Sequence, residues 1–335
     1  MELHRHLEGS LRINTMIDII KSYDLDLPKN AEKIKPLVHV LDEDPYTFIN
    51  FLSKFKTLRL LYQSPEMIQR IAHEAVEDAA KDNIRYMELR FTPVALTRIK
   101  DFPLGEAMDW VIASVADASR KFDVIVTLIA TVNRHEDLKL AEEVVKLTID
   151  RKDSGIAALD LTGNEADFPG KEFKGIFKEA KQAGLRITIH AGEWGGPENI
   201  ELAIKQLGAE RIGHGVRVIE DPKVVDLARE HEIIFEVCPT SNYQSGVFPS
   251  IEEHSLPKMM EYGLIVTLNT DDPGISQIDL SNEYALACKM FDFEIDTLQQ
   301  TIISAARGAF IQDGECEKLI AQINKEFLES KKSRE

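Results

Sequence analysis

Two histidines open the chain two residues apart, His4 and His6 in ELHRHLEGS. Far downstream follow His190-Ala-Gly-Glu193, then Gly213-His214-Gly215, then Asp271-Asp272-Pro273. Imidazoles and carboxylates move protons and also ligate divalent metals. Side chains two apart on a strand share a face, so His4 and His6 point the same way. Two buried imidazoles are costly unless they bind something. Three imidazoles with a carboxylate suit a borderline divalent ion, most simply zinc with one position open for water. Such an ion brings the pKa of its water to about 7, and a nearby Glu and His then move protons.

Singly, each motif has a plainer reading. His-x-His is usually a pair of half-buried strand residues. His-Ala-Gly-Glu fits a strand end with a turn, and Gly-His-Gly fits loop geometry. Asp-Asp-Pro fits a helix start, with Asp as N-cap and Pro at the first helical position. Jointly they sit at strand ends, and His190 and His214 are about one βα unit apart. That joint placement favours a built site.

The elements that must position these residues are eight short runs: Glu2–Leu7, Arg85–Thr92, Val124–Thr131, Ile156–Thr162, Arg186–His190, Arg211–His214, Ile233–Cys238 and Leu264–Thr270. Most are rich in β-branched residues, as strands buried on both faces are. Amphipathic stretches such as EAVEDAAKDN, NIELAIKQLGAE and PKVVDLAREHE lie between them. Eight strands alternating with helices predict a (β/α)8 TIM-type barrel, whose sites gather at the carboxyl ends of the strands. An open doubly wound sheet with extra strands is the alternative. The long gap after the first strand, about 12–80, reads as a helical insertion over the barrel mouth. Segment 280–335 reads as C-terminal helices, and 1–335 as a single domain. Phe51, Leu52 and Phe55 in FINFLSKF have helical spacing; core packing is the default there, with display to a substrate as the alternative. His39, His73, His135, His231 and His254 show no partner pattern and read as surface or capping residues.

The 335 residues carry a net charge of −17. A surface that acidic repels phosphate backbones and anionic lipids, so neither nucleic acid nor membrane is an expected partner. The 3 cysteines show no C-x-x-C spacing, as expected of reduced thiols in a cytoplasmic protein. No apolar run reaches membrane-span length, and MELHRHLEGS has no apolar signal core.

In order along the chain stand ELHRHLEGSLR, FLSKF, ALDLTGNE, HAGEWGGPENI, RIGHG, EVCPTSN and LNTDDP. Together they resemble the adenosine deaminase family of metal-dependent amidohydrolases. The resemblance implies a (β/α)8 barrel with one zinc ion, held by His4, His6, His190 and Asp271. It implies that Glu193 protonates purine N1. His214 would hold and deprotonate the attacking water and later stabilise the oxygen. Asp272 would hydrogen-bond N7, and the Gly163 amide would donate to N3. Phe51, Leu52 and Phe55 would close an apolar lid over the ribose. The implied reaction replaces the 6-amino group of a purine nucleoside by water, giving inosine and ammonia. One departure concerns substrate choice. Glu8 stands where many members have Asp, at the position that meets the ribose 5′-hydroxyl, and adenine deaminases often carry Glu there. RIGHG and CPTSN differ from the RIDHG and CPLSN of the adenine enzymes, which favours the nucleoside. Free adenine or a 5′-modified adenosine is the alternative substrate, and an inactive nucleoside-binding barrel is a further alternative.

Overall fold

The computed structural model describes residues 1–332, with side chains through residue 329. Eight strands lie in one sheet in chain order: β1 Glu2–His6, β2 Tyr86–Phe91, β3 Ile125–Asn133, β4 Ile156–Thr162, β5 Arg186–Ala191, β6 Arg211–His214, β7 Ile234–Val237 and β8 Ile265–Leu268. Every adjacent pair is parallel. The last edge closes on the first just beyond β8. His6 N donates to Asp271 O at 2.8 Å, and Asp271 N donates to His4 O at 2.8 Å. The seam of the barrel is therefore a site residue, which fixes Asp271 against the two β1 histidines. The eight predicted runs coincide with the eight strands to within a few end residues, and the predicted barrel is the observed fold.

Helices cover the outer face, where strand residues such as Leu89, Leu159, Ile187 and Phe235 are fully buried. The inner face is different from the apolar interior usual in such barrels. Glu88, Arg90, Asp160, Arg211 and Glu236 occupy it, all excluded from solvent. Arg211 donates to Glu88 and to Glu236, and stacks 3.6 Å over the Phe310 ring centroid at the barrel floor. These charges were visible as polar positions in RYMELRFT, IAALDLT, RIGH and IIFEVC, but the runs read as simply apolar.

Four helices separate β1 from β2: α1 Ile13–Ser22, α2 Ala31–Val38, α3 Phe48–Leu58 and α4 Pro65–Lys81. Thr47 caps α3, its hydroxyl accepting from Asn50 N at 3.2 Å. Lys54 fastens the helix from beneath. Its ammonium is buried and reaches Asp44 at 2.8 Å and Pro36 O at 3.0 Å. Phe48 stacks on Trp194 from the loop after β5, ring centroids 5.4 Å apart. Three helices, Leu280–Met290, Ile295–Gly308 and Asp313–Lys332, end the chain. Residues 333–335 of the predicted C-terminal helical segment lie outside the described residues. Among the described residues, no helix is long and apolar enough to cross a membrane.

Candidate active site

The strand ends of β1, β5, β6 and β8 meet at one mouth. His6 Nε2 lies 3.2 Å from His190 Nε2 and 3.2 Å from Asp271 Oδ1. His4 Nε2 lies 3.3 Å from the same Asp271 oxygen. His214 Nε2 stands 4.0 Å from Asp271 Oδ2. One donor atom each from His4, His190, His214 and Asp271 falls within 4.8 Å of the others. The backbone is strained to do this: His214 (φ 61°) and Asp271 (φ 65°) are both left-handed non-glycine residues. Gly213 explains the small residue before His214. A Cβ there would lie 2.9 Å from His4 Cε1 and 3.2 Å from His190 Nδ1.

Of these groups, His4, His6, His190 and Asp271 are the donors that fit a divalent cation, with His214 beside them. Among the described residues, His4 Nε2 is buried and makes no hydrogen bond, an orphan that a cation would satisfy. The far sides of the imidazoles are held as in metal sites, Nδ1 of His4 2.8 Å from Glu236 and Nδ1 of His190 3.0 Å from Asp160. Burial brings the His6 pKa down to about 4 and lowers that of His190, so both imidazoles are neutral and able to ligate. Burial and Arg90 oppose protonation of His4, but the carboxylates on either side, Asp271 and Glu236, raise its pKa. Burial likewise opposes ionisation of Asp271, yet His4, His6 and His214 together hold its carboxyl well below the usual range.

Two other carboxyls go the opposite way. Burial, then the charges of Asp271 and Glu165, push Glu193 well above its ordinary value. Burial, Asp271, Glu8 and Glu193 do the same to Asp272. The carboxyls of the site are thus driven apart, Asp271 toward the ionised form and Glu193 and Asp272 toward the protonated one. Gly9 lets Asp272 approach: a Cβ there would sit 1.8 Å from Asp272 Oδ1.

A single cavity gathers the predicted residues. His6, Glu8, Phe51, Leu52, Phe55, Gly163, His190, Glu193, His214, Asp271 and Asp272 line it, with His4 fully buried beneath. Phe51, Leu52 and Phe55 reach it from α3, and Gly163 (φ 95°) from the loop after β4. The sequence reading missed the residues that hold the site in shape. Glu165 accepts from the amides of Gly192, Glu193 and Trp194 at 2.9, 2.6 and 2.8 Å, which pins the loop carrying Glu193. Ser241 donates to Asp271 at 2.6 Å, and Asn242 contacts both Glu193 and His214. Glu165, Ser241 and Asn242 lie inside the GNE and CPTSN motifs, which was the available signal. Two of the discounted histidines are buried: His39, at the C-terminal cap of α2, and His254. His254 is buried, not on the surface, because Asn242 and a backbone amide take up both its nitrogens. His135 is exposed, as expected, and also lines the cavity.

A parallel barrel with imidazoles and carboxyls gathered at one mouth defines a metal-dependent hydrolase of the amidohydrolase type. The model of the adenosine deaminase family matches residues 1–326, and the chain belongs to that family. An adenosine deaminase of Klebsiella pneumoniae (strain 342) is 38% identical over 326 residues, covering 97% of both chains. An adenine deaminase from Arthrobacter aurescens has the same fold at TM-score 0.90, with 26% identity over 97% of each chain. An amidohydrolase from Burkhoderia ambifaria, solved with bound Zn, matches at TM-score 0.89 and 27% identity, covering 98% of this chain and 90% of that one.

Proposed function

We propose that this enzyme deaminates adenosine, and 2′-deoxyadenosine, to inosine and ammonia, with one zinc ion held by His4, His6, His190 and Asp271. The observation that carries the reading is one cavity that sets the carboxyls of Glu193 and Asp272, both pushed toward their protonated forms, beside His214, Asp271 and the Gly163 backbone. Purine N1, N3 and N7 are all acceptors. Glu193 offers a donor for N1, Asp272 for N7, and the Gly163 amide for N3. An ionised carboxylate at either position would repel the ring instead.

Zinc, when bound, supplies Lewis acidity that makes water nucleophilic at neutral pH. The remaining work falls to the chain's own groups. Glu193 gives its proton to N1 as water adds to C6, which neutralises the charge that builds on the ring. His214 faces the attacking water and stabilises the added oxygen. Phe51, Leu52 and Phe55 exclude solvent, which strengthens both electrostatic effects. Cys238, Cys288 and Cys316 are free, as reduced thiols of a cytoplasmic enzyme are.

Ammonia release from adenosine, 2′-deoxyadenosine and adenine, measured beside elemental analysis, tests this. Zinc near one per chain is expected, with His190→Ala losing both metal and turnover. Full activity in metal-free protein would overturn the mechanism.

A further inference from the structure

Asn242 stands between the two groups assigned to the chemistry. Its Nδ2 lies 3.0 Å from Glu193 Oε1 and 3.1 Å from His214 Nδ1. Its Oδ1 lies 3.3 Å from Nε2 of His254. The other nitrogen of His254, Nδ1, is 3.0 Å from the backbone nitrogen of Leu256. A backbone N–H can only donate, so His254 Nδ1 is the acceptor. A neutral imidazole that accepts at Nδ1 carries its proton on Nε2. His254 is neutral, its pKa brought down to about 3 by burial. Its Nε2–H therefore donates to Asn242, which requires the amide oxygen to face His254 and the amide nitrogen to face the site. The amide nitrogen has two hydrogens, and two acceptors stand within reach.

We propose that His254, acting through Asn242, fixes where the protons sit on both Glu193 and His214: Glu193 carries its proton on Oε2, and His214 presents an Nε2–H donor, not a basic lone pair, to the reacting face. The proposal rests on the deaminase reading above. Asn242 Nδ2, with Ser245 Oγ at 3.4 Å, saturates Glu193 Oε1. That leaves Oε2, 3.5 Å from His214 Nε2, as the oxygen that bears the proton. Because His214 Nδ1 accepts, Nε2 has no lone pair with which to deprotonate water. His214 acts as a fixed donor to the oxygen that adds at C6. Glu193 Oε2 gives its proton to N1. The proton lost by the water passes to a carboxylate oxygen of Asp271 and leaves with ammonia, and the remaining hydroxyl proton, released as C6–OH becomes the carbonyl, returns to Glu193 Oε2, so the protons balance. His254 and Asn242 are positioning residues. A Leu256 amide, two residues from His254 and outside every motif of the site, sets the sense of the whole relay.

The direct test is long-range proton–nitrogen correlation NMR on zinc-loaded protein with nitrogen-15 histidine, which shows the bare nitrogen of each ring. His214 is assigned by its absence from the His214→Ala spectrum. Nδ1 bare and Nε2 protonated is the expected result for both His214 and His254. His254→Phe keeps the ring volume without the donor. It should lower kcat about 10- to 100-fold, the scale for losing an orienting partner, with KM and zinc content held and His214 shifted toward the other tautomer. His254→Gln, which retains a donor, should recover part of the loss. A wild-type His214 with its proton on Nδ1 overturns the proposal, as does an unchanged kcat in His254→Phe. If that variant fails to fold, the wild-type spectrum still decides. The spectrum does not depend on turnover. Wild-type protein with the expected tautomer but no ammonia from any 6-aminopurine would remove the deaminase reading and leave the relay in place.

Discussion

Arg90 and Glu236 form an ion pair of 2.7 Å on the inner face of the barrel, and neither side chain is exposed to solvent. The same guanidinium reaches Asp160 at 2.6 Å. Glu236 and Asp160 are the carboxylates on Nδ1 of His4 and His190. One cation thus holds both groups that aim two of the assigned metal ligands. Arg90→Lys keeps the charge but not the fork that spans two carboxylates. It should weaken zinc binding about 10- to 100-fold, the range seen when outer partners of metal ligands are lost. Competition against a chelator measures this, and zinc affinity equal to wild type would show that the two carboxylates aim the histidines unaided.

Glu193 separates proton transfer from metal binding. Its carboxyl touches Asn242, Ser245 and His214, whereas Asp271 is the carboxylate proposed as the metal ligand. Glu193→Gln should therefore keep full zinc while lowering kcat by at least about 10²-fold, the usual scale for general acid catalysis. Metal analysis and steady-state turnover on the same preparation check both halves. Loss of zinc would make Glu193 a ligand.

Glu283 gives a stability test away from the chemistry. It is fully buried in helix Leu280–Met290 and accepts from Thr240 N at 3.1 Å, while its other oxygen has no partner. Burial pushes its pKa up to about 8 from an ordinary 4.5. Between those values the unfolded chain is ionised and the folded one is not. Stability from the neutral acid is full below pH 4.5 and declines as pH rises toward 8. Glu283→Gln keeps the acceptor without this penalty. Its Tm advantage over wild type should grow steadily from pH 5 to pH 8. An offset that does not change with pH would show that Glu283 is ionised in the fold.

The barrel was legible because its outer strand faces are apolar and its helices are amphipathic. Strand ends then marked His4, His6, His190, His214 and Asp271, since chemistry-bearing types at those positions have few structural uses. The supporting groups were harder to see. Arg90, Asp160 and Glu236 lie within strands that read as apolar, and an inward charge is affordable only once opposite charges from other strands are known to meet it. His254 had no partner at any fixed spacing: Asn242 reaches it from the helix after β7, and Leu256 through a local turn. Such contacts depend on loop paths that no residue period encodes.

Glu8 is where the nucleoside assignment can be tested. Its Oε1 accepts from Thr92 N at 2.6 Å, while Oε2 is buried without a partner and the side chain lines the cavity. Burial, opposed by Thr92 and the Arg59 guanidinium, pushes its pKa up to about 7. The orphan oxygen is the acceptor a ribose 5′-hydroxyl would satisfy. A hydrogen bond to a charged group contributes roughly 1.5–3 kcal/mol, or about 10- to 150-fold in kcat/KM. Glu8→Ala should lower kcat/KM for adenosine by that order and barely change it for 5′-deoxyadenosine, which lacks the donor. The ionised carboxylate is the stronger acceptor, so the wild-type preference for adenosine over 5′-deoxyadenosine should widen as pH rises through about 7 and Glu8 loses its proton. The rival reading has Glu8 fill the ribose space, one methylene longer than Asp. Wild type should then prefer adenine, and Glu8→Ala should improve adenosine. Measuring kcat/KM for the three substrates on both proteins, at pH 6 and pH 8, separates the readings, and a wild-type preference for free adenine would end the nucleoside assignment.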